Sequence, residues 1–390
     1  MRILLANEAR AGAGGVETYL VHVAEALAAR GHDVALLFGN SARQTGPTTV
    51  RTPDAWSVND RGLTDALEQV HCWRPDVVFS HNMRRLDIDE ALCASWPVVK
   101  LMHGHFGTCV SGQKAFLLPT IEPCTRRCGP ACLVLYAPRR CGSLRPVDVV
   151  RNYQWAARQR ALFDRYRSIV VASEHMRGEY LVQGAAADRL HAIPLFAPAF
   201  AGTQSGESAV DVLFLGRMTP LKGADVIPES LRVAAEAIGR RMRAVIAGDG
   251  PDRARLERAL SANPLIEALF PGWIDASARD ALIARARVMI IPSRWPEPFG
   301  LVGLEAAAAG VPSIAFNVGG IPEWLTDGVN GTLVPRTGGA AAFGKAIAQV
   351  LGDSNEYARL SAGARAAAAQ FSVEAHLTRL ERVLEAARRS

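Results

Sequence analysis

Residues 288–310, VMIIPSRWPEPFGLVGLEAAAAG, join a continuous apolar run to a helical pattern through a turn that contains two prolines. The run VMIIP is typical of a strand that is buried on both faces of a parallel sheet. Pro296 and Pro298 keep Glu297 out of a helix, whereas Glu305 lies about one turn inside the helix that follows. Two carboxylates in an otherwise apolar segment need a reason, because carboxylates are rarely buried alone. They either accept hydrogen bonds from paired hydroxyls, as on a sugar, or lie exposed near a helix N-terminus.

The same strand-turn-helix unit recurs along the chain. Apolar runs that we predict to be strands lie at 3–6, 33–38, 76–80, 97–103 and 168–173, and again at 210–215, 244–247, 288–292 and 312–316. Helical patterns separate them, among them 15–30, and a charged amphipathic helix is predicted at 374–389. Residues 196–208, FAPAFAGTQSGES, interrupt the alternation as a linker does. The pattern predicts an α/β protein with two doubly wound domains.

Length and composition agree with two globular domains. The chain has 390 residues, of which 49% are hydrophobic and 21% charged, and a net charge of +6. No apolar run approaches the roughly 20 residues that cross a bilayer, and the chain opens on a predicted strand instead of a signal peptide. We therefore expect a cytoplasmic protein. The net charge favours phosphorylated or polyanionic partners only weakly.

Two turns are suited to phosphate. Ligands of doubly wound sheets bind where the carboxyl ends of strands open into helices. The turn after the first strand carries glycines, Gly14 and Gly15 among them, but not at the spacing of the dinucleotide motif G-x-G-x-x-G. In the second half, Arg217 ends a strand and Lys222 opens a helix, so a guanidinium and an ammonium could hold a diphosphate there. Each residue taken singly could also be an ordinary surface residue.

Together these motifs resemble the group 1, or family 4, glycosyltransferases, which are retaining enzymes of the GT-B fold. Glu297 and Glu305 match the family's E-x7-E motif, the most specific element of the resemblance. The other matching segments are 14–17 with LAARGHDV, the pairs at 216–217 and 222–223, and NVGGIPEWLTDGVNGTLVP at 317–335. The resemblance covers most of the chain.

The resemblance implies two Rossmann-like domains that face each other across a cleft. We expect an acceptor domain at 1–197, completed by a returning helix at 373–390. A linker at 198–208 and a nucleotide-sugar donor domain at 209–372 follow from the same resemblance.

The resemblance also implies roles for individual residues. Its donor-binding positions are Gly14, Gly15, Gly216, Arg217, Lys222, Gly248, Ile274, Glu297, Phe299, Gly300, Leu301, Val302 and Glu305. Arg217 and Lys222 would hold the diphosphate and Glu305 the ribose hydroxyls. Glu297 would bind hydroxyls of the transferred sugar. The expected catalytic residues are His103, Arg217, Lys222 and Glu297, and His105 competes with His103 for the role of active-site histidine.

The implied reaction transfers a sugar, by expectation a hexose, from a nucleotide-diphosphosugar to an acceptor hydroxyl with retention. The acceptor is a glycan, a lipid-linked molecule or a small molecule. Since both glutamates are assigned to binding, a phosphate oxygen of the donor would take the acceptor's proton. No metal is implied for catalysis. The sequence Asp87-Ile88-Asp89 matches the metal-binding D-x-D pattern only superficially, and we expect it on the surface of a helix.

One segment departs from the family pattern. Five of the seven cysteines, Cys109, Cys124, Cys128, Cys132 and Cys141, lie close together in the first half. Their spacing is not that of a C-x2-C zinc knuckle, and a cytoplasmic setting disfavours disulfides. Reduced packing cysteines are favoured over a structural zinc or iron–sulfur site, and both stay open. We expect this segment to influence the choice of acceptor.

The same region is strongly basic. Residues 121–170 contain ten arginines and three acidic residues. This charge suits an anionic membrane surface with a lipid-linked acceptor, or nucleic acid, which is the less favoured partner. A plain exposed basic face is an equal alternative.

Two other classes of protein remain possible on sequence alone. A nucleotide-sugar epimerase or a phosphorylase can share this fold, because fold does not determine function. A non-catalytic nucleic-acid-binding protein is the second alternative. The nucleotide base, the sugar, the acceptor and the oligomeric state do not follow from the sequence.

Overall fold

Two parallel sheets, one in each half of the chain, organise the structure, a computed structural model that describes residues 1–12, 15–40, 48–197, 200 and 210–389. The strands, in chain order, are β1 (Arg2–Ala9), β2 (Ala11–Gly12), β3 (Asp33–Asn40), β4 (Thr48–Thr49), β5 (Asp54–Ser57), β6 (Val77–Ser80), β7 (Val98–Met102), β8 (Ala115–Phe116), β9 (Glu122–Pro123), β10 (Ser168–Val171), β11 (Leu190–Ala192), β12 (Val210–Leu215), β13 (Met242–Ala247), β14 (Ile266–Gly272), β15 (Ala286–Ile291), β16 (Ser313–Phe316) and β17 (Gly331–Val334).

Helices connect most of these strands. They are α1 (Gly15–Ala29), α2 (Val58–Arg61), α3 (Leu63–Trp73), α4 (Leu86–Ser95), α5 (Ala131–Leu135), α6 (Pro146–Ala161), α7 (Glu174–Val182), α8 (Ile227–Ile238), α9 (Arg253–Ser261), α10 (Ala276–Arg285), α11 (Leu301–Ala308), α12 (Gly339–Gly352), α13 (Ser354–Ala369) and α14 (Val373–Arg389). Short 3₁₀ helices lie at Ala187–Arg189, Pro220–Lys222, Ile321–Glu323 and Arg336–Gly338.

The chain divides into two units. The first comprises Met1–Lys114, Thr125–Pro194 and Val373–Ser390, and the second comprises Ala115–Cys124 and Leu195–Ser372. We predicted that residues 115–124 belong with the rest of 1–197, but the structure groups their β8–β9 hairpin with the second unit. Within that unit, Arg336 donates a hydrogen bond to the carbonyl of Ile121 over 2.8 Å. Gly14 and the predicted linker, apart from residue 200, lie outside the described residues.

Each sheet is doubly wound. The first has the order β11-β10-β7-β6-β1-β3-β5 and the second the order β14-β13-β12-β15-β16-β17, with parallel pairing throughout. The strand order reverses between β1 and β6 in the first unit and between β12 and β15 in the second. In parallel α/β sheets, the loops at the carboxyl ends beside such a reversal form the ligand site.

The predicted strands are all present, and the four strands that we missed in the two parallel sheets share one property. β5 and β11 are the edges of the first sheet, and β14 and β17 are the edges of the second. Edge strands are covered less completely and therefore carry mixed polar and apolar residues; β14 alternates between exposed and half-buried positions after its first residue, which is buried. A search for continuous apolar runs passes over such strands.

The surface position expected for Asp89 is wrong. Asp87 and Asp89 do lie in α4, but Asp89 is fully buried and its Oδ2 lies 2.6 Å from Nζ of Lys100 on β7. Ser80 donates to its Oδ1 over 2.6 Å, and Tyr166 donates to its Oδ2 over 2.9 Å. A buried ammonium on a central strand needs this carboxylate, which is why the helix carries an acid on its inner face.

We expect Asp89→Leu to lower the free energy of unfolding by about 3–5 kcal/mol, because Lys100 would remain buried without a counter-charge. Urea unfolding followed by tryptophan fluorescence measures the change. The double variant Asp89→Leu with Lys100→Met should recover much of the loss. The control is Asp87→Leu, in the same helix as Asp89, which removes a half-exposed ion-pair partner of Arg85. It should lower the free energy of unfolding by about 1 kcal/mol or less. Equal losses at the two positions would contradict this account.

Candidate functional site

In the second unit, the loops after β12 and β15 lie against each other at the strand reversal. Arg217 follows β12 and is exposed, and a 3₁₀ turn brings Lys222 back over the sheet. The backbone N–H groups of Arg294 and Trp295 both donate to the carbonyl of Leu221, over 2.8 and 3.0 Å. These bonds join the two loops that carry the predicted diphosphate and sugar residues.

Lys222 and Glu297 form an ion pair. Nζ of Lys222 lies 2.6 Å from Oε1 of Glu297, and it lies 4.8 Å from the centre of the Trp295 ring. Glu297 is buried, while a quarter of the Lys222 side chain is exposed. The two residues that the sequence assigned to different parts of a donor are therefore in direct contact. The ion pair places a positive and a negative side chain next to each other where the two loops meet.

Close packing of turns explains two glycines. At Gly223, with a φ of +73°, an added Cβ would lie 1.8 Å from the carbonyl oxygen of Pro292. At Gly248, with a φ of +121°, it would lie 2.0 Å from that of Gly216. No side chain fits at these distances, so both positions require glycine. Gly248 allows the close approach of the neighbouring turn, and its role in donor binding stays a prediction.

The helix α11 begins beside this pair. Gly300 occupies its N-cap with a φ of +83° and supplies no side-chain cap, so the first N–H groups, at Leu301 and Val302, are left for another acceptor. Phe299 is buried, and its carbonyl accepts a hydrogen bond from the indole of Trp324 over 2.6 Å. The helix start is therefore held rigidly.

Glu305 lies one turn into α11, as predicted, and has an unexpected partner. Its Oε1 accepts a hydrogen bond from Nη1 of Arg279 on α10 over 3.0 Å. Burial raises the pKa of Glu305 to about 7, although Arg279 opposes the shift. Ile274, the predicted neighbour of the nucleobase, is half-buried shortly before α10. The sequence offered no signal for Arg279, because an arginine on a polar helix is usually a surface residue.

In the first unit, His103 follows β7 and belongs to a cluster of rings. Its Nε2 lies 3.1 Å from Nδ1 of His81, and its ring stands edge-on to Tyr19 at 5.5 Å. Burial, with Lys100 as a smaller cause, lowers the pKa of His103 to about 3. The imidazole is therefore neutral at physiological pH. His105 is fully buried while His103 is half-buried, so His103 is the better placed of the two competitors to meet a ligand.

Two residues that the sequence did not single out support this cluster. Nδ1 of His376 on α14 lies 2.7 Å from the carbonyl oxygen of Pro194 and must donate to it. Nε2 of His376 then accepts from the hydroxyl of Tyr19 over 2.7 Å. Burial lowers the pKa of His376 to about 4, so this arrangement holds at neutral pH. Gly15 is the first residue of α1, the helix that carries Tyr19.

The cysteines form no disulfides in the described part of the chain, and no group there of three or more His, Cys, Asp or Glu could hold a metal ion. The geometry therefore does not support a structural metal at Cys109, Cys124, Cys128, Cys132 and Cys141. Cys128, Cys132 and Cys141 pack instead with Tyr136 in a small apolar cluster. Cys128 donates a thiol hydrogen bond to Cys132, and this bond is the main cause that lowers the pKa of Cys132 to about 6. The same hydrogen bond raises the pKa of Cys128.

The chain is similar in sequence to known glycosyltransferases. Residues 13–197 match the family described as Glycosyltransferase Family 4, and residues 199–367 match Glycosyl transferases group 1. A D-inositol 3-phosphate glycosyltransferase of Acidothermus cellulolyticus is 30% identical over 92% of this chain and 82% of its own length. A glycogen synthase of Mycobacterium tuberculosis is 26% identical over 90% of this chain and 86% of its own length.

Solved structures share the fold. Anabaena Alr3699/HepE in complex with UDP and glucose has a TM-score of 0.70 at 18% identity, over 99% of this chain and 100% of that one. Sucrose-phosphate synthase from Thermosynechococcus elongatus has a TM-score of 0.70 at 22% identity, with the same coverage. The prediction of two Rossmann-like domains of the GT-B type is confirmed.

We expect the Cys132 thiol to be alkylated by iodoacetamide with a rate that rises with pH around a midpoint of about 6, because the thiolate is the nucleophile. Mass spectrometry of peptides compares its labelling with that of Cys72, an exposed cysteine on α3. Cys128→Ala removes the hydrogen bond and should move the midpoint to higher pH. A midpoint that is the same in this variant would show that Cys128 does not stabilise the thiolate.

Proposed function

Because the chain belongs to the group 1, or family 4, glycosyltransferases, we propose that it transfers a sugar from a nucleotide-diphosphosugar to an acceptor hydroxyl with retention of configuration. The observation that carries the proposal is the contact of Lys222 with Glu297 beside the open N-terminus of α11. A cation and free N–H groups suit the leaving diphosphate, and the carboxylate suits sugar hydroxyls. Solved structures of the fold hold UDP or UDP-glucose, so UDP-glucose is the first donor to test.

The donor would lie along the carboxyl edge of the second sheet. Arg217 and Lys222 bind the two phosphates, and the N–H groups of α11 point to the same oxygens. Glu305 accepts hydrogen bonds from the ribose hydroxyls. Nη1 of Arg279, 3.0 Å from Oε1 of Glu305, balances the negative charge. This assignment gives Arg217, Lys222, Glu305 and Arg279 each a task in donor binding.

The proton of the acceptor goes to the donor. An imidazole with a pKa of about 3 cannot hold a second proton at neutral pH, so His103 is a poor general base. Glu297 has one oxygen engaged by an ammonium at 2.6 Å, which weakens it as a nucleophile. A phosphate oxygen of the leaving group, which gains negative charge as the glycosidic bond breaks, is the remaining base. His103, being neutral, serves as a hydrogen-bonding partner for a sugar hydroxyl.

We also propose that the protein works at an anionic membrane. No helix in the described part of the chain is long and apolar enough to span a bilayer. The region around α5 and the start of α6 nevertheless exposes large aliphatic side chains: Leu133, Val134, Leu144, Val147 and Val150. Six arginines and a single acidic residue, Asp148, lie within 125–151. Exposed aliphatic residues flanked by arginines fit the boundary between anionic headgroups and acyl chains.

Arg217 and Lys222, which we call the diphosphate clamp, provide the direct test of the transferase function. We expect Lys222→Ala and Arg217→Ala each to lower kcat/KM with UDP-glucose by about 100-fold or more, because each removes charge from the leaving-group site. Arg232→Ala, on the exposed face of α8 with glutamate partners, is the matched control and should leave turnover unchanged. EDTA should also leave it unchanged, since the clamp supplies the positive charge. If the protein released the sugar without transferring it, or epimerised the donor, it would belong to another class of enzyme.

Donor affinity should depend on the charge of Glu305. The carboxyl group is protonated below about pH 7 and then accepts fewer hydrogen bonds from ribose hydroxyls. We expect UDP to bind about tenfold more weakly near pH 6 than near pH 8, as measured by titration calorimetry. Glu305→Gln cannot titrate, and its pH profile corrects for the titration of the phosphate itself. Parallel profiles for the two proteins would remove Glu305 from the site.

The membrane surface can be tested without turnover. We expect the protein to sediment with vesicles that contain phosphatidylglycerol and not with pure phosphatidylcholine. Val134→Asp with Val147→Asp should abolish sedimentation, because both side chains are three-quarters exposed. Val182→Asp, at a valine of the same unit that is about half exposed, is the control and should still bind. Equal binding by the two variants would place the membrane contact elsewhere.

A further inference from the structure

Arg294 is a half-buried arginine that the reaction outlined above does not use. It lies in the loop after β15 that also carries Glu297, and its side chain reaches the loop after β12. Its Nε and Nη2 donate to the carbonyl oxygen of Pro220 over 3.3 and 3.2 Å, and Nη2 also donates to Oδ2 of Asp225 over 2.6 Å. Since only one fifth of the side chain is exposed, the planar guanidinium keeps these partners in a fixed geometry.

These hydrogen bonds fix the turn that carries Lys222. Pro220 opens the 3₁₀ turn Pro220–Lys222, and Asp225 follows shortly after its end, so Arg294 bonds to the chain on both sides of Lys222. The carbonyl of Leu221, the middle residue of the turn, accepts from the backbone N–H of Arg294 over 2.8 Å. The backbone of Lys222 is therefore held by the loop after β15.

A lysine needs such support to place its ammonium. The ammonium lies at the end of a flexible four-carbon stem, so its position depends on the backbone that carries it and on its partners. Nζ of Lys222 lies 2.6 Å from Oε1 of Glu297 and 4.8 Å from the centre of the Trp295 ring. Both partners belong to the same loop as Arg294. A shift of this loop relative to the turn would therefore take the ammonium away from both of them.

The charge of Arg294 is balanced by Asp225. Nη2 of Arg294 lies 2.5 and 2.6 Å from the two carboxylate oxygens. Direct binding of a phosphate would require the guanidinium to give up this carboxylate and the carbonyl of Pro220. Because a half-buried ion pair is costly to break, an action of Arg294 through the turn is favoured over direct contact with the donor.

Many pairs of arginine and aspartate only support the fold, and the second unit contains a comparable one. Arg240 donates to the two carboxylate oxygens of Asp211 over 2.7 and 3.0 Å. Asp211 lies near the amino end of β12, whereas Arg217 and Lys222 follow its carboxyl end. What distinguishes Arg294 from Arg240 is its additional bond to the turn of Lys222. Arg240 therefore provides a matched control.

We propose that Arg294 and Asp225 are positioning residues, which hold the turn 220–222 so that the ammonium of Lys222 stays where the leaving diphosphate gains negative charge. Neither residue contacts the reacting atoms, and both act through Lys222. The effect on turnover rests on the proposed transferase function, whereas the effect on the position of the ammonium does not.

The position of the ammonium can be measured without turnover. The chain has four lysines, so protein labelled with [¹³C]lysine gives few Cε–Hε signals in NMR spectra: Lys100, Lys114, Lys222 and Lys345. Lys222→Ala identifies the signal of Lys222. The ring of Trp295 shifts this signal from that of the exposed Lys345, because protons over an aromatic ring are shielded.

We expect Arg294→Gln and Asp225→Asn each to move the Lys222 signal toward that of Lys345, since the turn loses its hold on the loop. Arg240→Gln should leave the signal in place. Thermal melting shows whether each variant is folded, and Asp225→Asn keeps the size of its side chain, so the measurement does not depend on Arg294→Gln alone. A Lys222 signal that stays in place in the folded variants would overturn the proposal.

Kinetics show whether this position matters for the reaction. We expect Arg294→Gln to lower kcat with UDP-glucose about tenfold and to change KM by less, because a displaced ammonium loses most where the leaving group gains charge. Arg294→Lys should resemble it, since an ammonium lacks the fork of a guanidinium. Combined with Lys222→Ala, Arg294→Gln should lower kcat by less than twofold further, since both changes act through one ammonium.

Two outcomes separate this proposal from the proposed function. A further tenfold loss of kcat in the combined variant would show that Arg294 does not act through Lys222, and would overturn the positioning role. If the unchanged protein does not transfer glucose but the Lys222 signal moves as expected, the transferase assignment with this donor fails and the positioning of Lys222 stands.

Discussion

The reversal of strand order in each parallel sheet is the constraint on which the described sites depend. At such a reversal, neighbouring loops leave the sheet toward opposite faces, and the space between them stays open. In the second unit this space receives Lys222 from one loop and Glu297 from the other. In the first unit it receives Glu8 from β1 and His81 from the end of β6. Rigid strands thus deliver polar groups to fixed positions.

Charge balance at these positions follows a simple rule. Buried charges are paired: Lys100 with Asp89, and Glu305 with Arg279. His81, His103 and His376 are neutral instead, because burial disfavours the cation and lowers the pKa of each imidazole. The site that we assign to the diphosphate is accordingly cationic, whereas the histidine cluster is suited to hydroxyls. This difference supports two separate roles: the cationic site stabilises negative charge, and the histidine cluster recognises hydroxyls.

The cysteine-rich segment is built on a different principle. Its core is small, with Tyr136, Cys128 and Ala156 buried, and the thiol of Cys128 donates a hydrogen bond to that of Cys132. Lys114 is buried beside it and reaches the carbonyl of Arg126 over 2.6 Å. A small core of this kind leaves its outer residues exposed. The aliphatic and arginine side chains that we assign to a membrane surface are those outer residues.

Much of this protein was readable from the sequence. Continuous apolar runs predicted the central strands, since a strand covered on both faces tolerates few polar residues. The prolines around Glu297 and the helix around Glu305 were predicted from local backbone chemistry, and the E-x7-E match identified the family. These features depend on residues that are close together in the chain.

Other features depended on contacts between residues far apart in the chain, and only the tertiary structure decided them. The edge strands, the pairing of Glu305 with Arg279 and the burial of Asp89 follow from which element packs on which. His81 carried no sequence signal, because a histidine after a strand is as often structural as functional. Its Nε2 is buried without a hydrogen-bond partner in the described part of the chain, and its Nδ1 lies 3.1 Å from Nε2 of His103. Whether a polar atom is satisfied is a property of the packed three-dimensional neighbourhood, and local sequence does not determine it.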